Sequence, residues 1–120
     1  MDTPVSEARD WTRRHLDAFG WSRTAPETAD DVVLTVSELV TNAHVHARSD
    51  AQLTLAWDGQ GLHVTVHDNS PELPRPRLPD NDSAGGRGIF LVEAVADTWQ
   101  AHPCAHGKTV TACFNAPDTR

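Results

Sequence analysis

The chain is predicted to fold as a two-layer α/β (α+β) sandwich, a mixed, mostly antiparallel sheet covered on one face by three helices. Three observations predict it. Two segments near the N-terminus carry apolar residues at helical spacing, two pairs of short alternating segments read as hairpins, and a further helical segment lies between the hairpins. Hairpin strands pair antiparallel, and helices with a single apolar stripe need a sheet to cover. With 120 residues and 38% hydrophobic content, one domain spanning 1–120 has enough material for its own core.

The first helix is expected over Val5–Phe19, with Trp11, Leu16, Ala18 and Phe19 as buried candidates and Arg13 and Arg14 in solvent. Gly20 and Pro26 bound a connector. Pro26 then opens the second helix, where its missing N–H costs nothing, and Glu27, Asp30 and Asp31 complement the dipole of the first turns. Ala29, Val32, Val33, Val36, Leu39, Val40, Ala43 and Ala47 recur at helical spacing and form the stripe that faces the sheet. Glu38 projects almost opposite that stripe, beside Leu34 and Val45, with Asn42 around the edge. This second side has the character of a pocket wall.

Gln52–Trp57 alternates, with Leu53, Leu55 and Trp57 on one side, and Leu62, Val64 and Val66 do the same after the turn Asp58-Gly59-Gln60-Gly61. The polar stretch 69–86 holds Pro71, Pro74, Pro76 and Pro79 and is expected to be a long loop, of the kind that serves as a lid. Ile89–Ala96 reads as a short helix with Leu91, Val92 and Val95 inward. Asp97–Ala101 and Thr109–Phe114 close the sheet around a turn at His106-Gly107, with Cys113 a buried thiol. The tryptophans Trp11, Trp21, Trp57 and Trp99 are expected in core and helix–sheet contacts.

Composition narrows the function classes. A net charge of −7 and only 10 Lys+Arg exclude a broad basic footprint for nucleic acid. No apolar run reaches the roughly 18 residues that span a bilayer, and no secretory leader is visible. Two cysteines, Cys104 and Cys113, make no disulfide framework, so a cytoplasmic protein is expected. His44-x-His46 and His102-x-Cys104-x-His106 contain metal-ligand types, but side chains two apart on a helix diverge, and the second group lacks a further Cys/His pair at zinc spacing.

The chemistry concentrates in Ser37-Glu38-Leu39-Val40-Thr41-Asn42-Ala43. Glu38 and Asn42, four apart on a helix, converge on one volume, which suits positioning a water or holding a hard cation through oxygen. Gly85-Gly86-Arg87-Gly88 precedes a helix start, where backbone N–H groups can meet phosphate; a plain glycine-rich turn has the same wording, and Arg87 either adds charge or points to solvent. It matches neither a Walker A loop nor a dinucleotide fingerprint. Asp68 ends a strand before Asn69-Ser70-Pro71, either as an Asx-type turn starter or as a buried carboxylate that accepts a hydrogen bond from an exocyclic amine.

The order of these motifs resembles that of the GHKL (Bergerat-fold) ATPases: an N box, a first glycine box, a lid, a second glycine box and a final Gly-x-Thr box, here Gly107-Lys108-Thr109. Ser-Glu-Leu-Val-Thr-Asn-Ala is similar to the wording of stand-alone anti-sigma-factor serine kinases, and the resemblance covers about Ala29–Phe114. It implies ATP and Mg²⁺ as cofactors. Asn42 would coordinate the metal and Glu38 would be the general base for an attacking hydroxyl. Asp68 would read the adenine amino group, Gly86, Arg87 and Gly88 would lie at the phosphates, and Thr109 would close the adenine pocket. The acceptor it implies is a serine of an antagonist (anti-anti-sigma) protein, and the second partner a sigma factor held inactive.

Two features depart from the family pattern. The first glycine box of the family reads Asp-x-Gly-x-Gly, whereas Asp68 is followed by Asn69, Ser70, Pro71 and Glu72, which removes hinge freedom at the front of the 69–86 lid. Relatives open with a strand, whereas here a helical pattern starts near Met1, so the oligomeric state stays open. Two other functions compete: a non-catalytic ATP-binding switch acting on a partner, and the catalytic piece of a histidine kinase. No dimerisation helix with a phosphoacceptor histidine is visible to favour the latter.

Overall fold

The computed structural model describes residues 5–44, 51–69, 92–104 and 106–115. In chain order these form α1 (Val5–Phe19), α2 (Trp21–Thr24), α3 (Pro26–Asn42), β1 (Gln52–Trp57), β2 (Gly61–Asp68), β3 (Thr98–Cys104) and β4 (Gly107–Asn115). Residues 92–95 add one helical turn before β3, with Val92 fully buried and Val95 half-buried. The rest of the helix expected over Ile89–Ala96, and all of the expected lid beyond Asn69, lie outside the described residues.

The sheet has the order β1-β2-β4-β3. Every described pairing is antiparallel, in keeping with the mostly antiparallel sheet expected. The two hairpins account for the outer pairs, and β4 returns against β2 to join them. The helices lie on one face, α3 against β2 and β4, with α1 beside α3.

All seven described members of the predicted α3 stripe, from Ala29 to Ala43, are buried. They meet Leu62, Val64 and Val66 of β2 and Val110, Ala112 and Phe114 of β4, alternate residues that share one face of the sheet. Phe114 and Leu62 are among the largest wholly buried side chains. At about 25 cal/mol per Å² of apolar surface, each contributes on the order of 2 kcal/mol by leaving water.

The first helix keeps its expected bounds but not its expected buried face. Ala8, Thr12 and Leu16, spaced by four, are the buried line. Trp11 is half-buried, and Ala18 and Phe19 are exposed. Thr12 enters the core because its hydroxyl donates to the Ala8 carbonyl at 2.8 Å, so no polar group is left unmade. Gly20, at φ 82°, ends α1 in the left-handed region. The connector beyond it contains α2, whose Trp21 is buried. Trp57 is exposed at the end of β1 instead of facing the core, stacked near Phe19 and Trp21 with ring centroids 6.2 and 5.9 Å away.

The closing strands are longer than their apolar residues predict, Thr98–Cys104 and Gly107–Asn115. β3 lies at the end of the strand order, so Pro103 is tolerated where a central strand would need its N–H. On the face away from the core, His63, Thr65 and His67 of β2 stand opposite Cys113, Thr111 and Thr109 of β4. No described helix covers this polar face, and Cys113 is half-buried there, not buried as expected.

Candidate functional site

The last turns of α3 carry the carboxylate and carboxamide singled out in the sequence. Glu38 is half-buried, and Asn42 is 8% exposed. Among the described residues, neither side chain makes a hydrogen bond or ion pair. The carboxamide is thus left open to an incoming ligand on the described side of the site. Its oxygen, one turn from the Glu38 carboxylate, is the donor set that a hard divalent cation prefers. The residues present therefore fit Mg²⁺.

Immediately after Asn42 the helix widens into a π-type turn at residues 43–44, where the Ala43 N–H is shared between the Leu39 and Val40 carbonyls. Such turns re-aim side chains and are frequent at functional sites. His44 follows, with a buried Nε2 that has no hydrogen-bond partner.

Strand β2 delivers Asp68 to the same end of the sheet. Val40 of α3 shares a cavity of about 620 Å³ with Ala51, Gln52 and Leu53, and Gln52 is the register partner of His67. The end of α3 thus lies beside the strand that flanks Asp68. The cavity itself opens toward Trp11 and Arg14 of α1, and none of the predicted site residues lines it.

Asp68 is 2% exposed and shares the core-side face of β2 with Leu62, Val64 and Val66. It is a buried carboxylate and not a solvated turn starter. Its oxygens lie 2.8 and 3.1 Å from Nζ of Lys108, its register partner on β4. Lys108 is itself 3% exposed. Sequence reasoning missed this lysine because it placed the turn at His106-Gly107 and began the closing strand only at Thr109. The available signal was the alternation Lys108, Val110, Ala112, Phe114, which puts Lys108 on the inward side once β4 starts at Gly107.

Thr109 falls on the other face by the same alternation. Its hydroxyl lies 3.3 Å from Nδ1 of His67 and 3.1 Å from Sγ of Cys104. The structure therefore does not bring Thr109 together with Asp68. Gly86, Arg87 and Gly88 lie outside the described residues, as does His46. His102 pairs its Nε2 with Oε1 of Gln100 at 2.7 Å. Among the described residues, no three His, Cys, Asp or Glu side chains gather where they could hold a metal. No described helix is long and apolar enough to cross a membrane.

Gly107 makes the approach of β4 to Asp68 possible. It adopts φ 140°, and a Cβ at this position would collide with the Asp68 carbonyl oxygen.

Comparison with known proteins places the fold that carries these residues in a family. Residues 2–114 match the histidine kinase-like ATPase domain. Among solved structures, the chain is similar to the histidine kinase domain of the blue-light activated histidine kinase from Erythrobacter litoralis EL346, with 29% identity and a TM-score of 0.53. The match covers 73% of this chain and 44% of that one, so the chain spans less than half the length of the structure it resembles. A search of curated proteins gives no match. On this evidence from nearly the whole sequence, the chain belongs to the histidine kinase-like ATPase domain family.

Proposed function

We propose that this protein binds MgATP at the end of α3 and transfers the terminal phosphoryl group to a serine hydroxyl of an antagonist protein, and that it sequesters a sigma factor in the cytoplasm. The observation that carries the reading is Asn42, a buried residue whose carboxamide has no hydrogen-bond partner among the described residues, one turn beyond the half-buried Glu38. Bound Mg²⁺ would supply charge neutralisation at the phosphates. Asn42 offers the oxygen ligand, and Glu38 accepts the proton of the incoming hydroxyl and orients it. Asp68 is the acceptor for the adenine amino group. In phosphoryl transfer, positioning and charge compensation of this kind make up most of the catalysis.

A second reading is favoured by the Asp68–Lys108 pair. The carboxylate assigned to the base already holds an ammonium at 2.8 Å. An adenine amino group must share that carboxylate or displace Lys108, so nucleotide occupancy is tied to the contact between β2 and β4. This is the geometry of a switch that changes partner affinity without phosphoryl transfer.

One experiment separates the two. The chain is incubated with labelled ATP, Mg²⁺ and a candidate antagonist protein, with Glu38→Ala as control. Phosphoserine that disappears in the variant supports the kinase. Nucleotide binding with no transfer supports the switch. Mg²⁺-dependent ATP binding that is unchanged in Asn42→Ala overturns both.

A further inference from the structure

A second cluster of reactive side chains lies on the opposite face of the sheet, and neither the kinase nor the switch uses it. Cys113 of β4 and His63 of β2 are register partners on the polar face. Nδ1 of His63 lies 3.0 Å from Sγ of Cys113, and Nε2 of the same ring lies 2.7 Å from Oδ2 of Asp58. We propose that Cys113, His63 and Asp58 form a nucleophilic thiol site that is oxidised by small hydroperoxides.

The chemistry follows from the ring. A carboxylate accepts and does not donate, so the short contact with Asp58 fixes the proton on Nε2. Nδ1 is then left as the acceptor that faces the thiol. This is the order of nucleophile, base and orienting acid that activates cysteine. Asp58 is firmly anchored for the orienting part. Its other oxygen, Oδ1, accepts the backbone N–H groups of Gln60 and Gly61, both at 2.8 Å, in the β1–β2 turn. Its carboxyl is lowered to about 2, first by the His63 hydrogen bond and then by the two backbone donors, so it stays ionised throughout the useful range.

Among the described residues, the other groups near Cys113 make contacts of their own. Thr98 is its register partner on β3. Asp97 donates its backbone N–H to the Cys113 carbonyl and turns its Oδ2 to the Asn115 N–H at 2.7 Å. Thr65 and Thr111, next along the face, pair with each other at 3.2 Å. His63 is therefore the ionisable side chain seen in contact with the sulfur. Cys104, the other cysteine, is exposed, and its described contacts are with neutral oxygens, the Thr109 hydroxyl at 3.1 Å and the His102 carbonyl at 3.8 Å, which makes it an internal reference.

The reaction balances within the cluster and the peroxide. The Cys113 thiol gives its proton to Nδ1 of His63. The sulfur then attacks the terminal oxygen of the hydroperoxide, forming an S–O bond as the O–O bond breaks. The leaving alkoxide or hydroxide takes the proton back from His63. Sulfur is oxidised by two electrons to sulfenic acid, and the peroxide is reduced by two electrons to an alcohol or water.

The test uses the full chain. Iodoacetamide alkylation of each cysteine is followed by mass spectrometry across pH, and sulfenic acid is trapped with dimedone after hydrogen peroxide. At pH 6.5 Cys113 is expected to be alkylated about threefold to fivefold faster than Cys104, because His63 takes the thiol proton. Dimedone should mark Cys113 in preference to Cys104. His63→Gln should lower the Cys113 rate to that of Cys104, and Asp58→Asn, which keeps an oxygen for the turn, should lower it part of the way. A Cys113 rate at or below that of Cys104, or one unmoved by His63→Gln, overturns the proposal. Peptide mapping at pH 6.5 without preferential dimedone labelling of Cys113 overturns it too.

Discussion

Lys108 holds Asp68 inside the protein: the ammonium lies 2.8 and 3.1 Å from the two carboxylate oxygens, and both side chains are nearly free of solvent. The contact spans adjacent strands at a single register position, where β2 ends and β4 begins. Taking both charges out of water is expensive, and their mutual attraction recovers that cost only while both remain. The pair thus fixes the end of the sheet at which the acid–amide helix also terminates. Any ligand that addresses Asp68 competes with a charge and not with water.

Removing one partner should therefore be far worse than removing both. Lys108→Met takes the ammonium away from a buried carboxylate and is expected to cost about 3–5 kcal/mol in urea denaturation. Lys108→Met combined with Asp68→Leu should recover most of that loss. If the single and double variants are equally unstable, the two charges do not compensate each other.

Asn42→Ala should separate stability from binding. The carboxamide makes no hydrogen bond among the described residues, so its removal strands no described partner. The expected change in unfolding free energy is small, within about 1 kcal/mol. Loss of a direct oxygen ligand should weaken Mg²⁺-dependent nucleotide binding by at least the roughly 10–100-fold seen when a supporting partner of a metal ligand is lost. Calorimetry with ATP, with and without Mg²⁺, reads both arms. A variant that is badly destabilised would show that Asn42 serves the core.

Gly107 should tolerate no side chain. Its φ of 140° and the Asp68 carbonyl against it leave no room for a Cβ. Gly107→Ala should destabilise by about 1–3 kcal/mol, as overpacking does, and should shift β4 relative to β2. Amide hydrogen exchange at Lys108 and Thr109 should rise with it. Unchanged exchange and stability would mean that the strand end relaxes freely.

Much of this architecture is legible in the sequence, for identifiable reasons. The α3 stripe could be read because valine, leucine and alanine recur there at one spacing without interruption, and each described member is buried. Asp68 could be placed at a strand end because Leu62, Val64 and Val66 alternate up to it. The face of α1 could not be read, because Trp11 and Phe19 attract attention by size, while the buried line runs through Ala8 and the self-satisfied Thr12. Lys108 was hidden because the closing strand was read as starting at Thr109, just after a turn at His106-Gly107. Only the register with β2 shows that Lys108 alternates with Val110 and meets Asp68, which leaves Thr109 on the far face. The four residues of α2 are too few for any periodicity to appear.

The turn between β1 and β2 should carry a measurable acid dependence. Asp58 has its carboxyl lowered from 3.8 to about 2, chiefly because His63 donates to it and then because the Gln60 and Gly61 N–H groups do. A carboxylate whose value falls on folding stabilises the fold above its unfolded value and loses that contribution as pH drops through its folded one. Asp58→Ala should thus lower the thermal midpoint at neutral pH. Between about pH 4 and pH 2 the gap to wild type should narrow as the wild-type carboxylate takes up its proton. Asp58→Asn keeps an oxygen for the two backbone donors but loses the charge that faces His63, so its midpoint should fall between the two at neutral pH. A gap between Asp58→Ala and wild type that stays constant from pH 7 to pH 2 would show that the turn depends on the shape of the side chain alone.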